Sequence, residues 1–328
     1  MRCLITGGTG FVGSHVVEVA QKRGWDVICP VRDTASTRRL KDIKAKTCRL
    51  SELESELRRS PDIEYMIHVA GATRALSLEE YDHANAEFTR WLIQLVIDTG
   101  ASRSLKRFVL VSSQAAAGPS GKDCSPVSEQ DDPRPISNYG RSKLKGEKVA
   151  SIFKNKIPIT IVRPPTVFGP RDTDVFGVFK SARLRITPVL AGPDRLVSII
   201  YVEDLADGIV TSAESCAISS GEIFFLANEK PVIWREFAQM VGRSMGCRPI
   251  VTPIPIAVMK LIGKIGDITG KITKKPALIR SEKIVEMEQI AWVCSTEKAR
   301  DIMGWTSTTP LHEAVDRTRD WYFRHGWL

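Results

Sequence analysis

The stretch that most narrows the choice of fold lies within the first fifteen residues. Thr6-Gly7-Gly8-Thr9-Gly10-Phe11-Val12-Gly13 directly follows the apolar run Cys3-Leu4-Ile5 and opens a helical pattern. Gly7, Gly10 and Gly13 have the G-x-x-G-x-x-G spacing. Glycines so placed allow a tight turn, close backbone approach to a pyrophosphate, and close contact between helix and strand. The helix N-terminus then presents unpaired N–H groups and its positive dipole end to phosphate. A glycine-rich surface turn could carry the same letters, so the surrounding pattern decides.

That pattern alternates. Short apolar runs at Val27-Ile28-Cys29, Tyr65 to Val69, Phe108 to Val111 and Ile159 to Val162 are bounded by turns, with helical stretches at 14–23, 87–98 and 139–153 between them. Strand and helix repeated in this way imply an α/β fold, a Rossmann-type doubly wound parallel sheet. After Arg163 prolines 164, 165, 170, 188 and 193 break the rhythm. The expected organisation is a dinucleotide-binding unit over 1–165 with returns near 198–228 and 290–300. Residues 166–328 would then form mainly a smaller C-terminal substrate-binding lobe. The chain's 328 residues, 43% hydrophobic and 26% charged, suit such a globular protein and exclude disorder and collagen-like repeats.

The charge balance needs a separate account. Forty-seven basic against 38 acidic residues give +9, which admits nucleic acid, an anionic membrane surface, or anionic cofactors and substrates. Seven widely spaced cysteines with no C-x-x-C point to a reducing cytoplasm and to no metal site. Met1 leads within two residues into an apolar strand, without the basic and apolar regions of a signal peptide, and no run reaches the length of a membrane span.

Two further clusters carry chemistry. The second strand ends Val31-Arg32-Asp33, about twenty residues past the glycines, where dinucleotide folds choose between NAD and NADP. Arg32, with Arg38 and Arg39 nearby, could pair with a 2'-phosphate, whereas Asp33 leaves the choice open from spacing alone. Tyr139 and Lys143 are four apart and share a helix face. A phenol of ordinary pKa about 10 is a poor acid-base catalyst at neutral pH unless a neighbour favours phenolate. Ser112-Ser113 stands at the C-terminal end of an expected strand, the sheet edge where ligands bind in such folds.

Together with His68-Val69-Ala70-Gly71, Asn85, Arg163-Pro164-Pro165-Thr166-Val167-Phe168-Gly169-Pro170 and Tyr201-Val202-Glu203-Asp204, these marks resemble the extended short-chain dehydrogenase/reductase family, the NAD-dependent epimerase/dehydratase superfamily. The resemblance covers nearly the whole chain. It implies Tyr139 as general acid/base, Lys143 holding the nicotinamide ribose and lowering the Tyr pKa, and Ser113 orienting the reacting oxygen. It also implies a dinucleotide held by Gly7, Thr9, Gly10, Phe11, Val12, Gly13, Arg32, Ala70, Gly71, Tyr139, Lys143, Pro164, Pro165 and Val167. Val31 replaces the acid of NAD-preferring members and Arg32 follows it, as in the dihydroflavonol reductase and 3-beta-hydroxysteroid dehydrogenase branch, so NADP(H) is favoured over NAD(H). Arg49 stands where an acid often lies near adenine. His68 is read as structural, at a strand end beside the cofactor.

Within the family, nucleotide-sugar dehydratases carry an Asp-Glu pair where this chain has Gln114-Ala115. Epimerases of the galactose type commonly have Asn in place of Thr166 and Arg in place of Val197. The expected reaction is therefore NADP(H)-dependent interconversion of an apolar carbonyl compound and its alcohol. A nucleotide-sugar epimerase with tightly bound cofactor, or a non-catalytic NADP-sensing or RNA-associated protein, are the alternatives. No nucleic-acid partner is needed to explain the charge. A homodimer through the helices at 85–98 and 139–153 is what the family implies. The apolar, lysine-bearing stretch Ile254 to Ile265 reads as a core-facing helix of the small lobe, a cap over an apolar substrate, or a helix resting on a membrane surface.

Overall fold

The computed structural model describes residues 1–328 apart from 33–36, 38–39, 42, 122, 216–217 and 219. The apolar runs of the first half become strands β1 (Arg2–Thr6), β2 (Asp26–Val31), β4 (Tyr65–His68), β5 (Arg107–Val111) and β6 (Ile159–Arg163), with β3 (Lys46–Arg49) between β2 and β4. Four strands then lie outside this sheet: β7 (Thr166–Phe168), β8 (Ile186–Leu190), β9 (Leu196–Val197) and β10 (Ile199–Tyr201). The chain returns as β11 (Glu222–Phe225), giving a seven-stranded sheet of order β11-β6-β5-β4-β1-β2-β3. All its neighbouring strands are parallel. Strand β3 escapes an apolar search because it is the sheet's edge and three of its four side chains are exposed.

The register places the functional loops. Thr6 lies opposite His68, and His68 opposite Leu110, so β1, β4 and β5 end level. The segments that follow them, from Gly7, from Val69 and from Ser112, therefore emerge along one edge. Strand order reverses between β1 and β4, the switch point at which open α/β sheets bind ligands.

Helices cover both faces. On one, Val16, Val17 and Ala20 of helix Phe11–Lys22 meet Leu205, Ile209 and Val210 of helix Val202–Glu214 in a single apolar cluster. On the other, Leu57, Leu92, Val96 and Val149 come from helices Leu53–Arg59, Phe88–Asp98 and Asn138–Ile152. Each fully buried aliphatic side chain contributes roughly 1.5–3 kcal/mol, so these layers fix the loop ends firmly.

The later part of the chain builds small pairings instead of a second large sheet. β7 pairs with β10, and β8 pairs with β13 (Ile250–Ile254). β9 lies between β12 (Val232–Ile233) and β14 (Ala291–Trp292). An aromatic core of Phe168, Phe179, Tyr201, Phe237 and Tyr322 holds this region together. Of the two returns expected from the sequence, β11 joins the large sheet, whereas β14 pairs with β9 outside it.

Helix Ile256–Thr273 corrects the core-facing reading of its segment. Its buried residues are Met259 and the glycines 263, 266 and 270, while Val258, Leu261, Ile262, Ile265, Ile268 and Ile272 are exposed. The reason is steric. A Cβ on Gly266 would lie 2.0 Å from the Ile279 carbonyl oxygen, and one on Gly263 would lie 3.0 Å from the Ser281 backbone. The side of the helix without side chains therefore faces the protein.

Candidate active site

The glycine turn forms a cradle. Gly7 adopts φ +75°, and a Cβ there would come within 2.6 Å of the Ala70 nitrogen. A Cβ on Gly13 would lie 2.1 Å from the Gly7 oxygen. Gly10 donates its N–H to that same oxygen at 2.9 Å and caps helix Phe11–Lys22. Its cap residue, Gly10, has no side chain to bond the leading amides, and its first turn carries no acid. Its leading amides and dipole are thus available to an anion. Phe11 and Val12 anchor the turn by packing into the aromatic core. A dinucleotide pyrophosphate fits this cradle, since each close approach is one that a side chain would block.

Arg32 is exposed just past β2 and lines a cleft of about 580 Å³ with Leu50, Ser51, His83, Glu87, Phe88 and Trp91. Arg49 lies opposite Val31 on the neighbouring strand. Asp33, Arg38 and Arg39 fall outside the described residues. Another concavity of about 360 Å³, at Met1, Arg2, Asp26, Asp62, Glu64 and Ser104, lies at the opposite ends of the strands and is occupied by surface ion pairs.

Ser113, Tyr139 and Lys143 converge at the ends of β5 and of helix Asn138–Ile152. Ser113 has extended backbone, and its Oγ accepts the Ala115 N–H at 3.1 Å as the cap of a short helix. The same side chain lowers the pKa of the Tyr139 phenol. Burial is the larger effect, and with Glu286 and Asp174 nearby it pushes Tyr139 up to about 12. Lys143 is buried, and its Nζ donates to the Val111 carbonyl at 2.7 Å. Burial brings Lys143 down to about 8, opposed by the Glu147 carboxylate.

The remaining predicted cofactor residues border the same edge. Pro164 accepts the Gln114 N–H at 2.8 Å, Pro165 follows it, and Val167 lies in β7. Ala70 donates to the Thr6 hydroxyl at 3.3 Å, while a Cβ on Gly71 would lie 3.6 Å from Lys143 Nζ. His68 is enclosed between Thr6 Oγ1 at 2.6 Å and Thr89 Oγ1 at 3.1 Å. Burial and the Lys143 charge depress its pKa to about 3, so it is neutral. Asn85 joins the loop to the helix by accepting from Ala72 N and donating to Ser142 Oγ.

Two supporting residues have little sequence signal. Glu147 is buried, bound by Arg163 at 3.0 and 2.6 Å and by the Ser112 hydroxyl, and it anchors the helix below Lys143. Its place four residues after Lys143 was a hint. Glu282 accepts the Tyr139 N–H at 2.8 Å from helix Ser281–Glu288, at the start of helix Asn138–Ile152 where negative charge is favourable. Nothing in the sequence could reveal a partner 143 residues away.

The profile of the NAD dependent epimerase/dehydratase family matches residues 3–227. The chain belongs to that family. It is an enzyme type that binds a nicotinamide dinucleotide. Over 327 residues the chain is 29% identical to the ceramide reductase of Caulobacter vibrioides, covering 99% of this chain and 95% of that protein. It is 23% identical over 357 residues to 3beta-hydroxysteroid-dehydrogenase/decarboxylase isoform 1 of Arabidopsis thaliana, covering 97% and 79%. The structure of UDP-glucuronic acid 4-epimerase from Bacillus cereus in complex with NAD matches with a TM-score of 0.76 at 19% identity, covering 98% of this chain and 96% of that one. At that identity the likeness speaks for the fold alone. Epimerase/dehydratase family members thus include both reductases and epimerases, and the residues of this site must choose between them.

Proposed function

We propose that this epimerase/dehydratase family member is an NADP(H)-dependent carbonyl reductase or alcohol dehydrogenase acting on a mostly apolar small molecule. The observation that carries the reading is the convergence of Ser113, Tyr139 and Lys143 at the sheet edge beside the glycine cradle. The named activities of the ceramide and hydroxysteroid relatives support an apolar substrate. So does the chain's own lack of diphosphate-binding groups at Thr166 and Val197.

A nicotinamide dinucleotide held in the cradle would supply the hydride that the carbonyl carbon accepts. The phenol of Tyr139, protonated at neutral pH, donates its proton to the carbonyl oxygen, and carbonyl plus hydride plus proton give the alcohol. The Ser113 hydroxyl donates a hydrogen bond to the same oxygen and holds it beside the phenol. In this reading the ammonium of Lys143 would hold the nicotinamide ribose, and Gly7, Thr9, Gly10, Phe11, Val12 and Gly13 would receive the pyrophosphate. Ala70, Gly71, Pro164, Pro165 and Val167 would hold the nicotinamide half, and Arg32 would pair with a 2'-phosphate. Residues 1–165 with the return at β11 would form the dinucleotide half of a cytoplasmic homodimer, and the rest of 166–328 mainly the substrate lobe.

Titration with each cofactor tests the preference: NADPH should bind at least roughly ten-fold more tightly than NADH, and the reverse order would sink it. Tyr139→Phe should keep NADPH affinity within about two-fold while cutting turnover by roughly 10²–10⁴. A fully active variant would refute the mechanism. The epimerase reading requires NAD that survives purification and product formed without net redox change.

A further inference from the structure

Helix Ile256–Thr273 carries six of the large exposed apolar side chains among the described residues. Leu261, Ile265, Ile268 and Ile272 follow one another at spacings of four, three and four, so they form one outward stripe. They are 59, 51, 57 and 77% exposed. Lys260, Lys264 and Lys271 form the neighbouring row, and Lys274 and Lys275 follow at the helix end. Residues 256–275 hold these five lysines against a single carboxylate, Asp267, which Arg280 already binds at 2.9 Å. Lys260 pairs with Glu288 at 2.7 Å, but Lys264, Lys271, Lys274 and Lys275 make no ion pair among the described residues. An apolar stripe edged by unpaired cations suits an anionic bilayer, where lipid chains bury the isoleucines and headgroups meet the lysines. Among the described residues no helix is long and apolar enough to cross a membrane, so the contact would lie in the interfacial plane.

The helix also packs on segments that border the active site. A Cβ on Gly270 would lie 3.2 Å from Leu76 Cδ2, and Arg280 binds both Asp267 and the Ala75 carbonyl. The glycine side packs on residues 277–284, and helix Ser281–Glu288 there supplies Glu282 to Tyr139. We infer that this face seats the enzyme on an anionic membrane surface and lets an apolar substrate pass from the bilayer to the site. The docking stands on the face itself, whereas the passage of substrate rests on the reductase reading above.

The test uses the full chain with vesicles of phosphatidylcholine alone or mixed with phosphatidylglycerol, followed by sedimentation. Wild type should partition roughly ten-fold more onto the anionic vesicles, less so at high salt. The double variant Ile265→Asp with Ile268→Asp should lose this partition while reducing a water-soluble ketone with NADPH at the wild-type rate. Wild type that stays in solution with both vesicles overturns the docking. So does a wild-type oligomer that the double variant splits, which would make the face a protein–protein contact. Failure of NADPH oxidation with intact vesicle binding would overturn the reductase reading and leave the docking standing.

Discussion

Two regions of this protein are built on glycines at nearly the same spacing, Gly7, Gly10 and Gly13 at the first strand end and Gly263, Gly266 and Gly270 on a late helix. In both, an added Cβ would strike backbone at close range, 2.1 Å for Gly13 and 2.0 Å for Gly266. The consequences differ. At the turn, Gly7 needs a positive φ, and the close approach leaves a helix N-terminus open toward the sheet edge. On the helix no positive φ is involved, and the close approach only docks one segment on another, which turns its isoleucines outward. Glycine spacing therefore has no meaning by itself; the element that carries it decides whether it makes a ligand cradle or a packing face.

The comparison can be broken by substitution. Gly13→Ala puts its methyl against a backbone oxygen that cannot withdraw, and dinucleotide affinity should fall by roughly 100-fold or more in a fluorescence titration. Retained affinity would mean that the turn is not the cradle. The turn region should also respond to pH where the helix does not. Lys143 has its pKa lowered to about 8, so it is charged below that pH and neutral above it. The efficiency of carbonyl reduction should accordingly be level at lower pH and fall as pH rises through about 8, approaching ten-fold per unit. A profile level through that range would remove Lys143 from the account. Gly266→Ala should have the smallest effect on the dinucleotide, leaving affinity within about two-fold, while costing about 2 kcal/mol of stability in a thermal melt and a few-fold in turnover. Dinucleotide affinity lost in that variant would make the two glycine sets parts of one site.

The parallel sheet was legible because buried strands such as Phe108 to Val111 and Ile159 to Val162 are continuous apolar runs. The edge strand Lys46–Arg49 was not, because burial never selected apolar side chains for it. The Tyr139 and Lys143 pair could be read from its helical spacing. Its environment could not: Lys143 turned to the Val111 carbonyl, Ser113 acting on the phenol, and Glu282 capping from another helix all depend on long-range packing. The late helix misled for a related reason. Hydrophobic pattern ordinarily names the buried side, but here backbone contact at the glycines excluded side chains from it.

The central claim is that Tyr139 and its neighbours direct hydride transfer from NADPH to a carbonyl compound. The most direct measurement is mass analysis of the product after incubation with an apolar ketone and NADPH deuterated at the transferring position of the nicotinamide. Wild type should place one deuterium at the carbinol carbon, and Tyr139→Phe almost none. No deuterium in any product, with NAD retained by the protein and a nucleotide sugar epimerised instead, would contradict it.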